Sequence, residues 1–466
     1  MGESKIAAYD ISGIDLSQLK YENNLLANNI LDRHFYSYFR NGQKKIEVFL
    51  SGVCKANCEY CYLKKYHENL YPTKIEKYDT VINNFKAFLD WYVDSKFSCI
   101  IDFFSGEWLT TKYRDAIFDL MYDKFKDESQ YKPKTILIPD NMQFIKDEKA
   151  FNKIKEILLK FKSIGIYVNM SASVDGKYCD DGRTTNTDEY YDTLIDFCKE
   201  HSFKFHPMVS SNNVKNWIEN YKWWMDILSK HDYEYGKDIM MLEVRDQTWT
   251  NESIEQLLKF INFVADYKFD HKFNKDKKKY LASILRRKEE VKDTCYDNTS
   301  LVFDSAFVHG QDFISCSASP ETLPIRMGDL SIAICHRTWY PELTIGHFNK
   351  IDNKISDFTV DNIGPLFIKI AAKKSCFPHC ESCPLIGFCP GFCMGNAYEV
   401  SKNLLCPPKP VCNLYKAKTS FLIKKYNDMG LFNYIDDLVD KNDEEEVLFY
   451  SYIKTLINNV LNNLEG

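Results

Sequence analysis

From Ile46 onward the apolar positions of the chain switch repeatedly between two spacings. Short, dense runs at 46–51, 98–104, 134–138, 166–170, 203–209 and 239–244 have the length and residue types of buried strands. Between them lie stripes at three- and four-residue spacing, which predict helices with one buried face. The stripes are Val81, Phe85, Phe88, Leu89 and Tyr92; Tyr113, Ile117, Leu120 and Met121; Ile154, Ile157, Leu158 and Phe161; Tyr190, Leu194, Ile195 and Cys198; and Trp217, Tyr221, Trp224 and Leu228. Six strand–helix units of similar length predict an α/β fold, a partial (βα)6 barrel around a parallel sheet, too few units for a full eight-fold barrel. Such sheets carry their chemistry at the C-terminal ends of the strands.

Outside this core, 46–250, the pattern is less regular. Residues 1–45 hold an amphipathic, helical piece around 21–39 and no recognisable chemistry. A charged helical bridge is expected over 251–312, a cysteine-rich domain over 313–425, and C-terminal helices over 426–466. In the last of these, Val447, Leu448, Ile453, Leu456, Ile457 and Val460 form a packing stripe.

Composition narrows the function. With 466 residues, 45% hydrophobic and 15% aromatic, the chain has enough apolar material for a large interior divided into two or three domains. The net charge of −6 is small and the 60 basic residues are scattered, so no nucleic acid partner is expected. Lysine runs such as 275–279 read as solvated faces. No apolar run spans a bilayer and no signal-like start is present, so no membrane partner and a cytoplasmic location are expected. Sixteen cysteines in a reducing compartment point to metal or redox duty rather than disulfides, and ten of them lie at or beyond Cys295. Cys99, Cys179 and Cys198 fall in a strand, a loop and a helix stripe and read as core residues.

The first strand ends in Leu50-Ser-Gly-Val-Cys54-Lys-Ala-Asn-Cys58-Glu-Tyr60-Cys61-Tyr62, a C-x3-C-x2-C pattern. Three thiolates at this spacing hold one corner of a 4Fe-4S cluster and leave one iron without a protein ligand. A zinc site would more often present a closed set of four ligands. The pattern resembles the radical S-adenosylmethionine (radical SAM) superfamily. That resemblance implies that SAM chelates the open iron and that Tyr60 lies against the adenine.

Other strand ends carry elements similar to those of the same family. Ser105-Gly106-Glu107, after the second strand, resembles the Gly-Gly-Glu element that binds the methionine ammonium, with Ser105 in place of the first glycine. A small residue, a glycine and an acid supply what that contact needs: close backbone approach and one anionic acceptor. Asn141, after the third strand, is either a polar contact near SAM or a turn residue beside Pro139 and Asp140. Ser171-Ala-Ser173-Val-Asp175-Gly176, after the fourth, is similar to a Ser-x-Asp-Gly element. The resemblance implies that Ser173 contacts the ribose or the SAM carboxylate, that Asp175-Gly176 shapes the turn, and that Arg183 reaches the site. After the sixth strand, Glu243 and Arg245 share a face at i, i+2. They are expected to point inward as substrate or SAM contacts, the alternative being a structural ion pair.

Further along, Cys380-x2-Cys383-x5-Cys389-x3-Cys393, with Cys412 beyond it, resembles the core of the SPASM domain found after radical SAM barrels. That likeness implies two auxiliary 4Fe-4S clusters: Cys316, Cys335 and Cys393 on the first, and Cys380, Cys383, Cys389 and Cys412 on the second. The fourth ligand of the first is open or is one of Cys295, Cys376 and Cys406. Gly328 precedes Cys335 by six intervening residues where the family pattern has four, so the hairpin is longer or its glycine sits elsewhere. A zinc ribbon would need a second C-x2-C pair, which is missing.

The resemblance implies an enzyme that reductively cleaves SAM and oxidatively cross-links a ribosomally made precursor peptide, through a sulfur-to-carbon (thioether) bond or else a carbon–carbon bond. Expected partners are the precursor peptide and an electron donor such as flavodoxin or ferredoxin. The leader of the peptide would be gripped by the first 45 residues, by the 251–310 bridge or by a separate leader-binding protein. The rival is an anaerobic sulfatase maturase, which forms formylglycine. Such enzymes place an Asp base after the second SPASM cysteine, where this chain has His336. A non-catalytic iron–sulfur electron carrier is the third reading.

Overall fold

The computed structural model describes residues 29, 36–42, 44–56, 58–66, 77–104, 106–128, 130–179, 183, 186–232, 239, 241–285, 299–301, 322–371, 373–374, 377–389 and 392–465. Ser105, Cys295, Cys316, Cys376 and most of the expected 21–39 helix lie outside the described residues.

Five strands, β1 (Lys45–Phe49), β2 (Ile100–Asp102), β3 (Thr135–Asp140), β4 (Tyr167–Ala172) and β5 (Lys204–Phe205), pair in parallel in that order. Each is followed by a helix: α1 (Tyr78–Asp94), α2 (Tyr113–Phe125), α3 (Glu148–Ser163), α4 (Asp188–His201) and α5 (Trp217–Lys230). The helix stripes are buried as expected, except that Leu120 is only partly covered. Local chemistry sets the helix starts. The side chains of Asp147 and Thr187 accept the Ala150 and Tyr190 N–H groups at the beginnings of α3 and α4.

The fifth expected strand divides at His206-Pro207 into β5 and β6 (Met208–Val209), because proline has no N–H to give the ladder. The sixth shrinks to β7 (Leu242–Glu243), which pairs in parallel with β6, while Ile239 bridges Phe205. The sequence of six strand–helix steps is therefore kept, with a break in its fifth strand.

Beyond α6 (Asn251–Tyr267) and α7 (Lys277–Ile284) the chain returns to the same sheet. β8 (Thr322–Arg326) pairs in parallel with β1 on the side away from β2. β9 (Ser331–Ala333), β10 (Thr344–Ile351) and β11 (Lys354–Val360) then continue antiparallel to a nine-stranded sheet. The cysteine-rich part is thus joined to the core by a shared sheet, not only by a bridge. The β8–β9 turn also accounts for the displaced glycine. Gly328 is not left-handed; Leu330 is, at φ 57, and four residues separate it from Cys335.

The longer helices after the sheet are α8 (Gly364–Ala371), α9 (Met394–Ser401), α10 (Lys409–Asp428) and α11 (Glu444–Glu465). In α11, Ile453, Leu456, Ile457 and Val460 are buried, but Val447 and Leu448 are 42% and 59% exposed. The packing stripe therefore begins a turn or more later than expected. Among the described residues no helix is long and apolar enough to cross a membrane.

Candidate functional site

The loop after β1 and the loop after β2 are built against each other. The Glu107 N–H donates to the Val53 carbonyl at 2.8 Å. Gly106 has φ +51, and a Cβ there would lie 2.6 Å from both the Ser51 and Val53 carbonyl oxygens. Both facts require glycine. Cys54, Cys58 and Cys61 line one pocket with Gly106, Asn141, Ser173 and Arg183, so the ends of β1 to β4 converge there. Ser171 is not among the lining residues; it stands on β4, paired with Pro139.

A buried carboxylate lies beside Cys54. Glu107 is 2% exposed, its Oε2 lies 3.9 Å from Cys54 Sγ and 3.4 Å from the Lys55 N–H, and its Oε1 meets no donor at hydrogen-bonding geometry. Burial raises its pKa, against the pull of Asn141 and Lys55. Burial and then the Glu107 charge push the Cys54 thiol up to about 12. Asp140, which sequence reasoning treated only as a turn neighbour of Asn141, also lines the pocket, and burial together with Glu107 raises its pKa well above the ordinary value.

Asp175 does more than shape a turn. It is fully buried and accepts from the Tyr60 hydroxyl at 2.6 Å, Arg183 Nη1 at 3.0 Å and the Met208 N–H at 2.8 Å. Its carbonyl accepts from Asn220 and Trp224. Gly176, at φ +102, leaves no room for a Cβ beside those two side chains. Arg183 also stands over the Tyr60 ring at 5.5 Å and interacts with Cys58. Tyr60 is therefore held by Asp175 and Arg183 and is not among the residues lining the pocket.

His336 links this pocket to the cysteine-rich part. Its ring lies 3.9 Å from that of Phe104 and 5.7 Å from that of Tyr62, both on the pocket wall. Its Nδ1 is 3.2 Å from Glu47 Oε2 on β1. Burial would raise the Glu47 carboxyl, but His336 and Lys45 outweigh it and hold the pKa down at about 2. The partner on β1 was not legible, because a strand residue and a residue nearly three hundred positions later share no local pattern.

The cysteines of the C-terminal part form two groups. Cys380, Cys383, Cys389 and Cys412 line a single pocket with Lys374 and Tyr415. Cys335 and Cys393 are close enough for the charge of one to raise the pKa of the other, after burial. Their sulfurs accept the Arg337 and Asn396 N–H groups, each at 3.4 Å. Arg337 Nε donates to Glu399 at 2.9 Å, so an ion pair flanks this second group. Cys406 is exposed, whereas Cys99, Cys179 and Cys198 are buried. Among the described residues no three His, Cys, Asp or Glu side chains close on a point that would hold a single metal ion; the thiols line pockets instead.

Glu243 and Arg245 do share a face, but it meets α10 rather than the three-cysteine pocket. Glu243 pairs with Lys418 Nζ at 2.5 Å, and Arg245 lies over the Tyr415 ring at 5.6 Å. The structural ion pair, the alternative weighed against substrate contact, is what the geometry presents for Glu243.

No family model matches the chain. A radical SAM cyclopropyl synthase, TigE of Paramaledivibacter caminithermalis, is 22% identical over 406 residues, covering 84% of this chain and 76% of its own length. The solved structure of native anSMEcpe with bound AdoMet superposes with a TM-score of 0.52 at 14% identity, covering 83% of this chain and all of that one. Streptococcus suis SuiB bound to S-adenosylmethionine gives 0.47 at 14% identity, covering 88% of this chain and 83% of its own. With the C-x3-C-x2-C loop at the end of β1, the parallel α/β sheet and a radical SAM relative along most of its length, the chain is an enzyme that resembles the radical SAM enzymes.

Proposed function

We propose that this enzyme cleaves SAM reductively and uses the resulting radical to cross-link a precursor peptide. The observation that carries the reading is the convergence of Cys54, Cys58 and Cys61 with Gly106, Asn141 and Ser173 on one pocket at the strand ends. The residues there fit the cofactors: three thiols line the pocket for a 4Fe-4S cluster, and beside Cys54 the buried Glu107, one oxygen of which meets no donor, would take the amino group of SAM. Such a cluster, when bound, supplies the electron that breaks the SAM sulfonium and yields a 5'-deoxyadenosyl radical able to take hydrogen from carbon.

The chain's own residues position and enclose. Gly106 lets the Glu107 loop lie on the cysteine loop, and Asn141 and Ser173 offer polar contacts to the amino acid and ribose parts of SAM. Asp175 fixes Tyr60 and Arg183 behind Cys58. Cys380, Cys383, Cys389 and Cys412 would hold one auxiliary cluster, and Cys335 and Cys393, with Cys316, another. Cross-linking with loss of two hydrogens needs an exit for the second electron, which a cluster held by these cysteines would supply. His336, whose ring lies against Phe104 on the pocket wall and next in sequence to Cys335, is the base we assign to a proton leaving the substrate. A flavodoxin or ferredoxin would deliver the first electron.

The relative named as a cyclopropyl synthase favours carbon–carbon ring closure over the thioether. The SuiB structure bound to the precursor peptide SuiA supports a peptide as the substrate class. The test is mass spectrometry of small peptides encoded beside the gene, after anaerobic incubation with reconstituted enzyme, SAM and reductant. Loss of about two hydrogens supports a cross-link. Persistence of that product on a peptide whose thiols were alkylated beforehand marks it as carbon–carbon, and its absence there marks a thioether. Conversion of a sulfatase Cys or Ser to an aldehyde, with no neighbouring peptide altered, would replace this reading with the formylglycine one.

A further inference from the structure

A cation is buried against the thiols of the C-terminal pocket, and the SAM chemistry above makes no use of it. Lys374 is 1% exposed and lines that pocket with Cys380, Cys383, Cys389 and Cys412. Its Nζ donates to the Ile386 carbonyl at 3.0 Å and to the Cys389 carbonyl at 2.8 Å. Its own carbonyl accepts the Phe377 N–H at 3.0 Å, and the Phe377 carbonyl accepts the Cys380 N–H at 2.8 Å. Lys374 thus ties the turn that leads into Cys380 to the turn that ends at Cys389.

An ammonium buried this deeply forfeits its hydration, a cost that neutral carbonyls offset only in part. Among the described residues lining the pocket there is no Asp or Glu, and the thiols are the acidic groups that ionise most readily. Burial and then the charges of Cys389 and Cys383 raise the Cys380 pKa, while Lys374 and Lys416 pull against them. The ammonium and the thiols therefore act on each other through the protein interior. Lys416 is exposed, so water and salt screen its charge where they do not screen that of Lys374.

We propose that Lys374 is a positioning residue for the auxiliary cluster at Cys380, Cys383, Cys389 and Cys412, and that its fixed positive charge favours the reduced form of that cluster. The proposal rests on the cluster-binding reading of these cysteines given above. Their thiolates make the site anionic before reduction, and reduction adds one more electron. A cation held in place by two carbonyls lowers the cost of that added charge. A site so tuned takes up the electron leaving a substrate radical more readily than the same thiols would alone.

Lys374→Gln removes the charge and keeps a side-chain N–H for the carbonyls, whereas Lys374→Arg keeps the charge. Both are made in a full-length parent with Cys54, Cys58 and Cys61 changed to alanine, so that the first cluster adds no signal, and are reconstituted anaerobically. Iron is assayed, and the clusters are followed by electron paramagnetic resonance through a reductive titration. A variant with Cys380, Cys383, Cys389 and Cys412 changed to alanine identifies the signal of this site. The expected result for Lys374→Gln is normal iron and a ratio of reduced to oxidised cluster about ten-fold lower at a given potential, which is about 59 mV for one electron, with Lys374→Arg close to the parent. An unchanged ratio in Lys374→Gln overturns the proposal. An equal fall in Lys374→Arg overturns it too, since shape and not charge would then decide the ratio. Loss of iron in Lys374→Gln would make the residue only a tie for the Cys389 turn, and a parent site that stays oxidised throughout would also overturn the proposal. If the parent and the variant lacking Cys380, Cys383, Cys389 and Cys412 hold the same iron and give the same spectra, the cluster-binding reading itself fails, an outcome distinct from the others.

Discussion

At the scale of single residues, the site depends on close approaches that only certain side chains permit. Gly106 has carbonyl oxygens 2.6 Å from where a Cβ would stand, and those carbonyls belong to the loop that carries Cys54. Gly106→Ala must therefore move the cysteine loop, not merely strain its own backbone. We expect the variant to fold but to take up less iron at this site, with SAM cleavage at least ten-fold slower per mole of protein. Iron analysis beside a thermal melt checks this; normal iron and normal cleavage would show that the loop tolerates the change. Residue types at this scale were legible because each sits in a short motif at a strand end. Their partners were not. Nothing local to Ser171–Gly176 says that Asp175 binds the Tyr60 hydroxyl and a backbone N–H beyond Pro207, and Asp140 looks in sequence like any turn acid beside a proline.

Elements were read well where the apolar period was long, and less well where long-range pairing or a single proline decided the outcome. The five helix stripes match α1 to α5 because one buried face per helix leaves a repeat in the sequence. The break at Pro207 and the pairing of β8 with β1 leave none. One contact between elements gives a pH signature. His231, just after α5, has ring nitrogens 2.7 Å from Asp196 and 3.0 Å from Asp192, both on α4. Burial opposes its charge, yet the two carboxylates raise its pKa above the ordinary 6.5. A raised histidine pKa stabilises the fold fully below about 6.5 and loses that contribution as pH rises through the folded value. The double change Asp192→Asn with Asp196→Asn should thus destabilise more at pH 6 than at pH 8.5. Urea midpoints at the two pH values test this, and an equal loss at both would mean that His231 is not charged by this pair.

For the whole molecule, the question is how the cysteine-rich part is held to the strand–helix core. The shared nine-stranded sheet is one tie, and the Glu243–Lys418 pair with Arg245 over Tyr415 is another, placing α10 against β7. On this account Glu243→Gln leaves Lys418 poorly compensated and lowers stability by roughly 3 kcal/mol, while SAM cleavage by the folded fraction stays within about two-fold of wild type. A denaturant melt paired with 5'-deoxyadenosine assays distinguishes this from substrate contact, for which cleavage or cross-linking would collapse at unchanged stability. The family resemblance was legible from cysteine spacing alone. The joining of the two parts was not, because both ties bring together residues more than 150 positions apart.

The central claim is that the loop from Cys54 to Cys61 is where SAM is cleaved. The most direct measurement is 5'-deoxyadenosine formed from SAM and a reductant by anaerobically reconstituted protein, compared with a variant in which Cys54, Cys58 and Cys61 are all alanine. The account predicts nucleoside from the wild type and none from the variant, with iron bound by the later cysteines remaining in both. Cleavage that persists without these three thiols would contradict it.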